Sequence, residues 1–177
     1  ATIPAGLGGL LLKSKVEAAF SSPVLTAVLL FVTAVILTLA EIFSRKERDL
    51  ESVTPKDAIV IGLSQLLAIF PGISRSGATI SGGLSRGLKR EAAARFSFLM
   101  SIPIMLAAGL LSVLDLLKIP DLGSFLPIIL VGFIVALVVG YLSIRWLLNF
   151  LKSRSLIPFA VYCAVVSVLT IFIAYFR

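Results

Sequence analysis

Four apolar stretches in this 177-residue chain, Pro23 to Phe43, Phe96 to Leu114, Phe125 to Leu148 and Leu156 to Phe176, are each long enough to cross a lipid bilayer. At 1.5 Å of rise per residue a 21-residue helix reaches about 31 Å, matching a hydrocarbon core of about 30 Å. In that solvent every backbone N–H and C=O must find its partner within the protein, so such stretches fold as helices. The expected fold is therefore all-α and polytopic: one integral membrane domain over residues 1–177, with about five transmembrane helices. The first is partial, the apolar run Ala1 to Leu12. No basic leader precedes that run, as a signal peptide would require, and the chain reads as lacking an N-terminal part.

Composition narrows the chemistry. The chain is 59% hydrophobic and 14% charged, with mean hydropathy +1.10, which excludes an ordinary soluble domain. It has no histidine, so no imidazole serves as base, nucleophile or metal ligand. The single cysteine, Cys163, lies in an apolar run and reads as packing. A net charge of +7 in such a chain points to basic loops gathered on one side of a bilayer rather than to nucleic acid.

The segment Asp57 to Arg86 breaks the pattern. Its first apolar run, Ala58 to Phe70, spans only about 20 Å as helix before Pro71-Gly72 interrupts it. Ser74, Arg75, Ser76 and Thr79 follow, then a short glycine-rich stretch and the basic residues Lys89 and Arg90. Two half-helices meeting at a polar break are expected.

The basic residues choose between a pair that crosses and one that returns. If it returns, the loops around 44–56 (Arg45, Lys46, Arg48, Lys56), 86–95 (Arg86, Lys89, Arg90, Arg95) and 145–154 (Arg145, Lys152, Arg154) share one face with eleven cations. Lys13, Lys15, Lys118 and Arg177 lie opposite, and Arg75 stays inside the membrane. A crossing pair would give nine and six. The positive-inside rule favours the re-entrant hairpin, entered from the cytoplasm, with the C-terminus outside.

Irregular backbone at membrane depth must face protein or a wet cavity. Arg75 there is costly unless paired. Glu41 and Asp57 sit near the ends of apolar runs, at no helical spacing from it, so an anionic ligand is a candidate counter-charge. Either Ser74 or Ser76 can cap the second half-helix, whose positive end then points at the break beside the planar donor fork of Arg75. Thr79 lies one turn on from Ser76 and can place its hydroxyl on the same face. The bland alternative makes Ser76 a mere cap and lets Arg75 snorkel or bind a carbonyl. Gln65, mid-run on the first half-helix, serves either the break or packing.

Elsewhere the ordinary accounts are preferred. Pro103 and Pro158 kink or start helices, the mixed charges from Lys46 to Glu51 read as a solvated loop, and Gly87 to Arg95 as a solvated stop-transfer segment. Gly132, Ala136 and Gly140, four apart, permit close helix packing and a homodimer without demanding one.

The nine residues Pro71-Gly72-Ile73-Ser74-Arg75-Ser76-Gly77-Ala78-Thr79 resemble the PGxSRSxxT signature of the undecaprenyl-diphosphatase family, also called the bacitracin-resistance protein family. Ala93-Ala94-Arg95-Phe96-Ser97-Phe98-Leu99 with Ile102-Pro103, and Thr2-Ile3-Pro4-Ala5, resemble family segments too, so the likeness runs along essentially the whole chain. It implies hydrolysis of undecaprenyl diphosphate to the monophosphate in the cell membrane, regenerating the carrier for cell-wall assembly and conferring bacitracin resistance. It also implies an inverted-repeat architecture. Arg75 and Ser74 would carry catalytic work, and Ser74, Arg75, Ser76 and Thr79 would hold phosphate oxygens. The family's E/QxxxE motif and its serine- and histidine-containing stretch, which precede TIPA, are absent from this chain. The nucleophile, the base and the ligands of an implied magnesium or calcium ion are accordingly expected in the missing part. A transporter or flippase for a polyprenyl phosphate or another anion is the rival reading, since re-entrant pairs are common there.

Overall fold

The computed structural model describes residues 1–118 and 122–176; within these, helices carry the fold, and the only bridge is an isolated parallel pairing of Arg48 with Leu88. The helices are α1 (Ile3–Leu11), α2 (Lys13–Phe20), α3 (Pro23–Phe43), α4 (Pro55–Leu67), α5 (Arg75–Ser85), α6 (Arg90–Leu116), α7 (Leu122–Ser153) and α8 (Ile157–Tyr175). Four of them, α3, α6, α7 and α8, are long and apolar enough to span a membrane. The expected fifth span is α1, whose nine residues reach only about 13 Å.

Local chemistry sets the boundaries. Ser22 caps α3 by accepting from the Leu25 N–H at 3.2 Å, with Pro23 at the first helical position, where its missing N–H has no consequence. Thr54 and Asp57 form a capping box that starts α4 at Pro55, three residues before the apolar run begins. α6 and α7 outrun their apolar stretches, because hydropathy marks only the part that meets hydrocarbon. The helices continue through Arg90–Arg95 and on to Ser153, into the basic segments that flank the apolar stretches. Pro103 lies inside α6 and Pro158 in the first turn of α8.

α4 and α5 form an antiparallel hairpin closed at its base. Asp57, at the start of α4, accepts from Arg86 Nε at 2.8 Å, just past the end of α5, and from Arg48 Nη2 at 2.7 Å. The hairpin therefore begins and ends at one end of the molecule. Arg90, at the start of α6, pairs with Glu41 at the end of α3, while Leu156, preceding α8, donates its N–H to Glu41 at 3.2 Å. Lys152 of α7 lies 3.9 Å from Glu91 of α6. The three basic loops thus share one end, and Lys118 closes α6 at the other. Arg177, counted on that opposite face, lies outside the described residues.

The core is concentrated around α5. Ile61, Ile80, Leu84, Leu88, Ala93, Ala94, Leu151 and Leu156 are buried there. α4 and α5 approach closely because Gly82 faces Ser64: a Cβ on Gly82 would lie 2.5 Å from the Ser64 hydroxyl. The lipid side is the reverse. Leu151 is the one buried residue on the described face of α7, and a Cβ on Gly132 or Gly140 would meet nothing within 4 Å. Among the described residues the small-residue stripe has no partner.

Candidate functional site at the hairpin tip

The tip joins α4 to α5 through residues 68–74. Gly72 adopts φ +93°, a left-handed conformation, and a Cβ there would sit 2.1 Å from the Thr26 carbonyl oxygen of α3. Glycine is required on both counts. Ser74 is the cap of α5: its Oγ accepts from the Gly77 N–H at 3.1 Å. The choice between Ser74 and Ser76 left open by sequence falls to Ser74.

A residue from outside the motif fixes the break. Thr33, 1% exposed in the middle of α3, places its Oγ1 3.1 Å from the Gly72 carbonyl oxygen and 3.1 Å from the Ser74 nitrogen. One hydroxyl therefore donates on one side of the turn and accepts on the other, satisfying backbone groups that lipid cannot. Its donor side also lies 3.3 Å from the Leu29 carbonyl of its own helix. Thr33 is one of three threonines in this apolar span, with Thr26 and Thr38, and nothing in the sequence singles it out.

Arg75 occupies the first helical position of α5. Eleven helical rises separate it from Arg86 at the hairpin base, which puts it about 16 Å from the basic end, against a hydrocarbon core of about 30 Å. Its Nε donates to Gln65 Oε1 at 3.3 Å, which assigns buried Gln65 to the break rather than to simple packing. Its Nη2 is buried without a partner, as is Gln65 Nε2. Among the described residues no ion pair involves Arg75. The two candidate carboxylates are engaged at the hairpin base, Glu41 with Arg90 and Lys46, and Asp57 with Arg48, Arg86 and Thr54. The hydrogen bonds of Arg48, followed by those of Arg86 and Thr54, hold the Asp57 carboxyl well below the usual carboxylate range despite its burial.

The remaining motif hydroxyls diverge. Ser74 and Ser76 stand together, Oγ to Oγ 3.4 Å, on a cavity of about 210 Å³ whose other walls are mostly apolar, including Leu37, Ile80, Leu151, Phe159 and Cys163. Thr79 is buried behind them. Its Oγ1 lies 2.9 Å from the Arg75 carbonyl, 3.2 Å from that of Ser76 and 2.6 Å from Ser97 Oγ on α6. The structure thus places Arg75 toward Gln65 on α4, Ser74 and Ser76 toward α8, and Thr79 toward α6. Among the described residues no group of three or more His, Cys, Asp or Glu side chains is placed to hold a metal ion.

A hairpin of two half-helices returning to its own end, set among helices long enough to span a bilayer, defines a polytopic α-helical membrane protein with a re-entrant pair. Residues 1–169 match the family model for bacitracin resistance protein BacA, and the chain belongs to that family. It is 42% identical over 173 residues to the undecaprenyl-diphosphatase of Methanosphaera stadtmanae, covering 98% of this chain and 62% of that protein. To the undecaprenyl-diphosphatase of Methanobrevibacter smithii it is 45% identical over 170 residues, covering 96% and 61%. To that of Corynebacterium striatum it is 47% identical over 163 residues, covering 91% and 58%. The chain spans about three-fifths of the length of these curated relatives.

Proposed function

We propose that this chain supplies the arginine-and-hydroxyl half of a phosphate site that hydrolyses undecaprenyl diphosphate to undecaprenyl phosphate and inorganic phosphate. The observation that carries the reading is Arg75: a guanidinium at bilayer depth, beside a helix N-terminus, with a buried Nη2 that has no partner and no carboxylate to neutralise it. A diphosphate brings both the missing charge and the missing acceptors. Arg75 would hold its oxygens by charge-assisted bonds that strengthen as charge develops on the leaving phosphate, which makes it the catalytic residue of this half. Ser74 and Ser76 would orient the same group from the cavity side. Thr79, with its hydroxyl turned to Ser97, would act on the phosphate through the helix end it ties down. Neither serine has a base beside it, so no nucleophilic step is assigned to either. The described residues do not make a site for the divalent cation that the family resemblance implies, and no step is routed through one.

The basic end of the bundle would face the cytoplasm and the C-terminal end of α8 the outside, by the positive-inside rule. The open small-residue face of α7 would be the surface for a homodimer.

Phosphate release from undecaprenyl diphosphate in detergent tests the main reading. The samples are this chain, this chain mixed with the N-terminal segment of the Corynebacterium striatum relative, and Arg75→Ala and Arg75→Lys versions of each. Turnover is expected in the mixture, abolished by Arg75→Ala and about tenfold lower in Arg75→Lys, where charge remains but the planar fork is lost. Full turnover by the alanine variant, or none by a folded wild-type mixture, would overturn it.

A further inference from the structure

A cavity lined by cations lies at the basic end of the molecule, away from the hairpin tip. Arg95 on the first turns of α6 and Arg145 and Lys152 on the last turns of α7 line one cavity of about 580 Å³ together with Glu91, Leu142 and Trp146. Arg95 and Lys152 lie 2.7 and 3.9 Å from the same Glu91 oxygen, and Arg145 forms no ion pair among the described residues. Three cations therefore surround one carboxylate, which leaves the cavity positive.

Its depth identifies the kind of anion. From Leu122 to Ile144, α7 rises about 34 Å, enough to cross the hydrocarbon core, so the turns from Arg145 to Ser153 stand in the headgroup layer. α6 is placed likewise, with Arg95 just before the apolar run that begins at Phe96. Trp146, 60% exposed, sits where amphipathic rings mark that layer. Two exposed apolar columns descend from the cavity at helical spacing, Leu99, Ile102 and Leu106 below Arg95, and Leu142, Val138 and Val135 below Arg145. A basic pocket between spanning helices with two such columns beneath it matches a phosphate carrying two acyl chains.

We propose that the α6–α7 cavity binds the headgroup of an anionic diacyl phospholipid, with Arg145 as its principal phosphate ligand and Glu91 limiting its affinity. This does not depend on the phosphatase reading.

The test is native mass spectrometry of the chain in neutral detergent, titrated with dioleoylphosphatidylglycerol, dioleoylphosphatidylcholine or inorganic phosphate. Phosphatidylglycerol is expected to bind preferentially. The Arg145→Gln/Lys152→Gln variant should weaken it about 25-fold, at about fivefold per cation removed from a membrane surface. Lys56→Gln/Arg154→Gln removes the same charge outside the cavity and should leave binding within about twofold. Glu91→Gln, by contrast, should tighten binding about fivefold, a gain that loss of folding cannot mimic. Equal binding of the two lipids, equal loss in both double variants, or weaker binding in Glu91→Gln would each overturn the site. Saturation by inorganic phosphate at the lipid's own concentration would make it a site for the free ion instead.

Discussion

Replacing Thr33 by valine keeps the shape of the side chain and removes the one hydroxyl that spans the hairpin turn. The Gly72 carbonyl and the Ser74 N–H would then both lose their partner, each bonded at 3.1 Å, at a position 1% exposed. A buried backbone group left unsatisfied costs about 1–3 kcal/mol, so the pair amounts to about 2–4 kcal/mol once partial relaxation is allowed. Thr33→Ser keeps the hydroxyl and gives up a methyl group that packs toward Gly77, a loss of about 1 kcal/mol. The order is therefore valine well below serine, the opposite of what packing alone gives. Thermal unfolding of the three proteins in one detergent measures it. If Thr33→Val proves as stable as Thr33→Ser, the hydroxyl does not hold the turn and the reasoning is wrong. Hydrogen exchange at Ser74 gives a local readout, with protection expected to fall in the valine variant alone.

Asp57→Asn should lower stability by about 2–4 kcal/mol at neutral pH, since the amide cannot serve two arginines, whose partial exposure moderates the loss. Because the folded-state pKa of Asp57 is depressed, its contribution is present above the unfolded carboxylate value of about 3.9 and is lost as pH falls. The gap between wild type and Asp57→Asn should accordingly narrow from pH 6 to pH 3 in a melting series. Gly72→Ala should destabilise by about 2 kcal/mol or more, combining left-handed backbone with a Cβ placed 2.1 Å from the Thr26 carbonyl; retention of the wild-type melting point would contradict the turn geometry. Thr79→Val should cost about 1–3 kcal/mol by leaving buried Ser97 without its 2.6 Å partner, and the double variant with Ser97→Ala should recover part of it.

The spans and the hairpin were legible because each rests on local signals: apolar length, a Pro-Gly interruption, and the side on which cations collect. Even the cap of α5 was narrowed to two serines. What escaped was every contact that joins distant parts of the chain. Thr33 lies 41 residues before the Ser74 it holds, and nothing in its apolar neighbourhood marks it. Thr79 stands at a spacing that fits the face of Ser76, yet the presence of Ser97 on α6 turns its hydroxyl the other way. Arg95 and Arg145 are fifty residues apart and read as separate solvated loops until α6 and α7 bring them to one cavity. Helix ends were misjudged for a different reason, since hydropathy reports contact with lipid and the backbone hydrogen bonds of α6 and α7 continue past it.

The pairing of α3 with α8 governs the order in which the molecule can be assembled. Glu41 receives the N–H of Leu156, 115 residues later, and Ser167 donates its hydroxyl to the Ala27 carbonyl at 2.7 Å across 140 residues. α3 and the hairpin leave the ribosome long before α8 exists. From Ser85, where the hairpin ends, to Tyr175, where α8 ends, is 90 residues, so at about 5–20 residues per second the wait is roughly 4.5–18 s. During that interval a half-helix pair carrying an arginine has one wall of its cradle and lacks the other, while already committed to the bilayer. Shortening α8 should therefore lower the yield of folded chain rather than give a stable, weakened protein, because α3 would lose the partners that Leu156 and Ser167 provide.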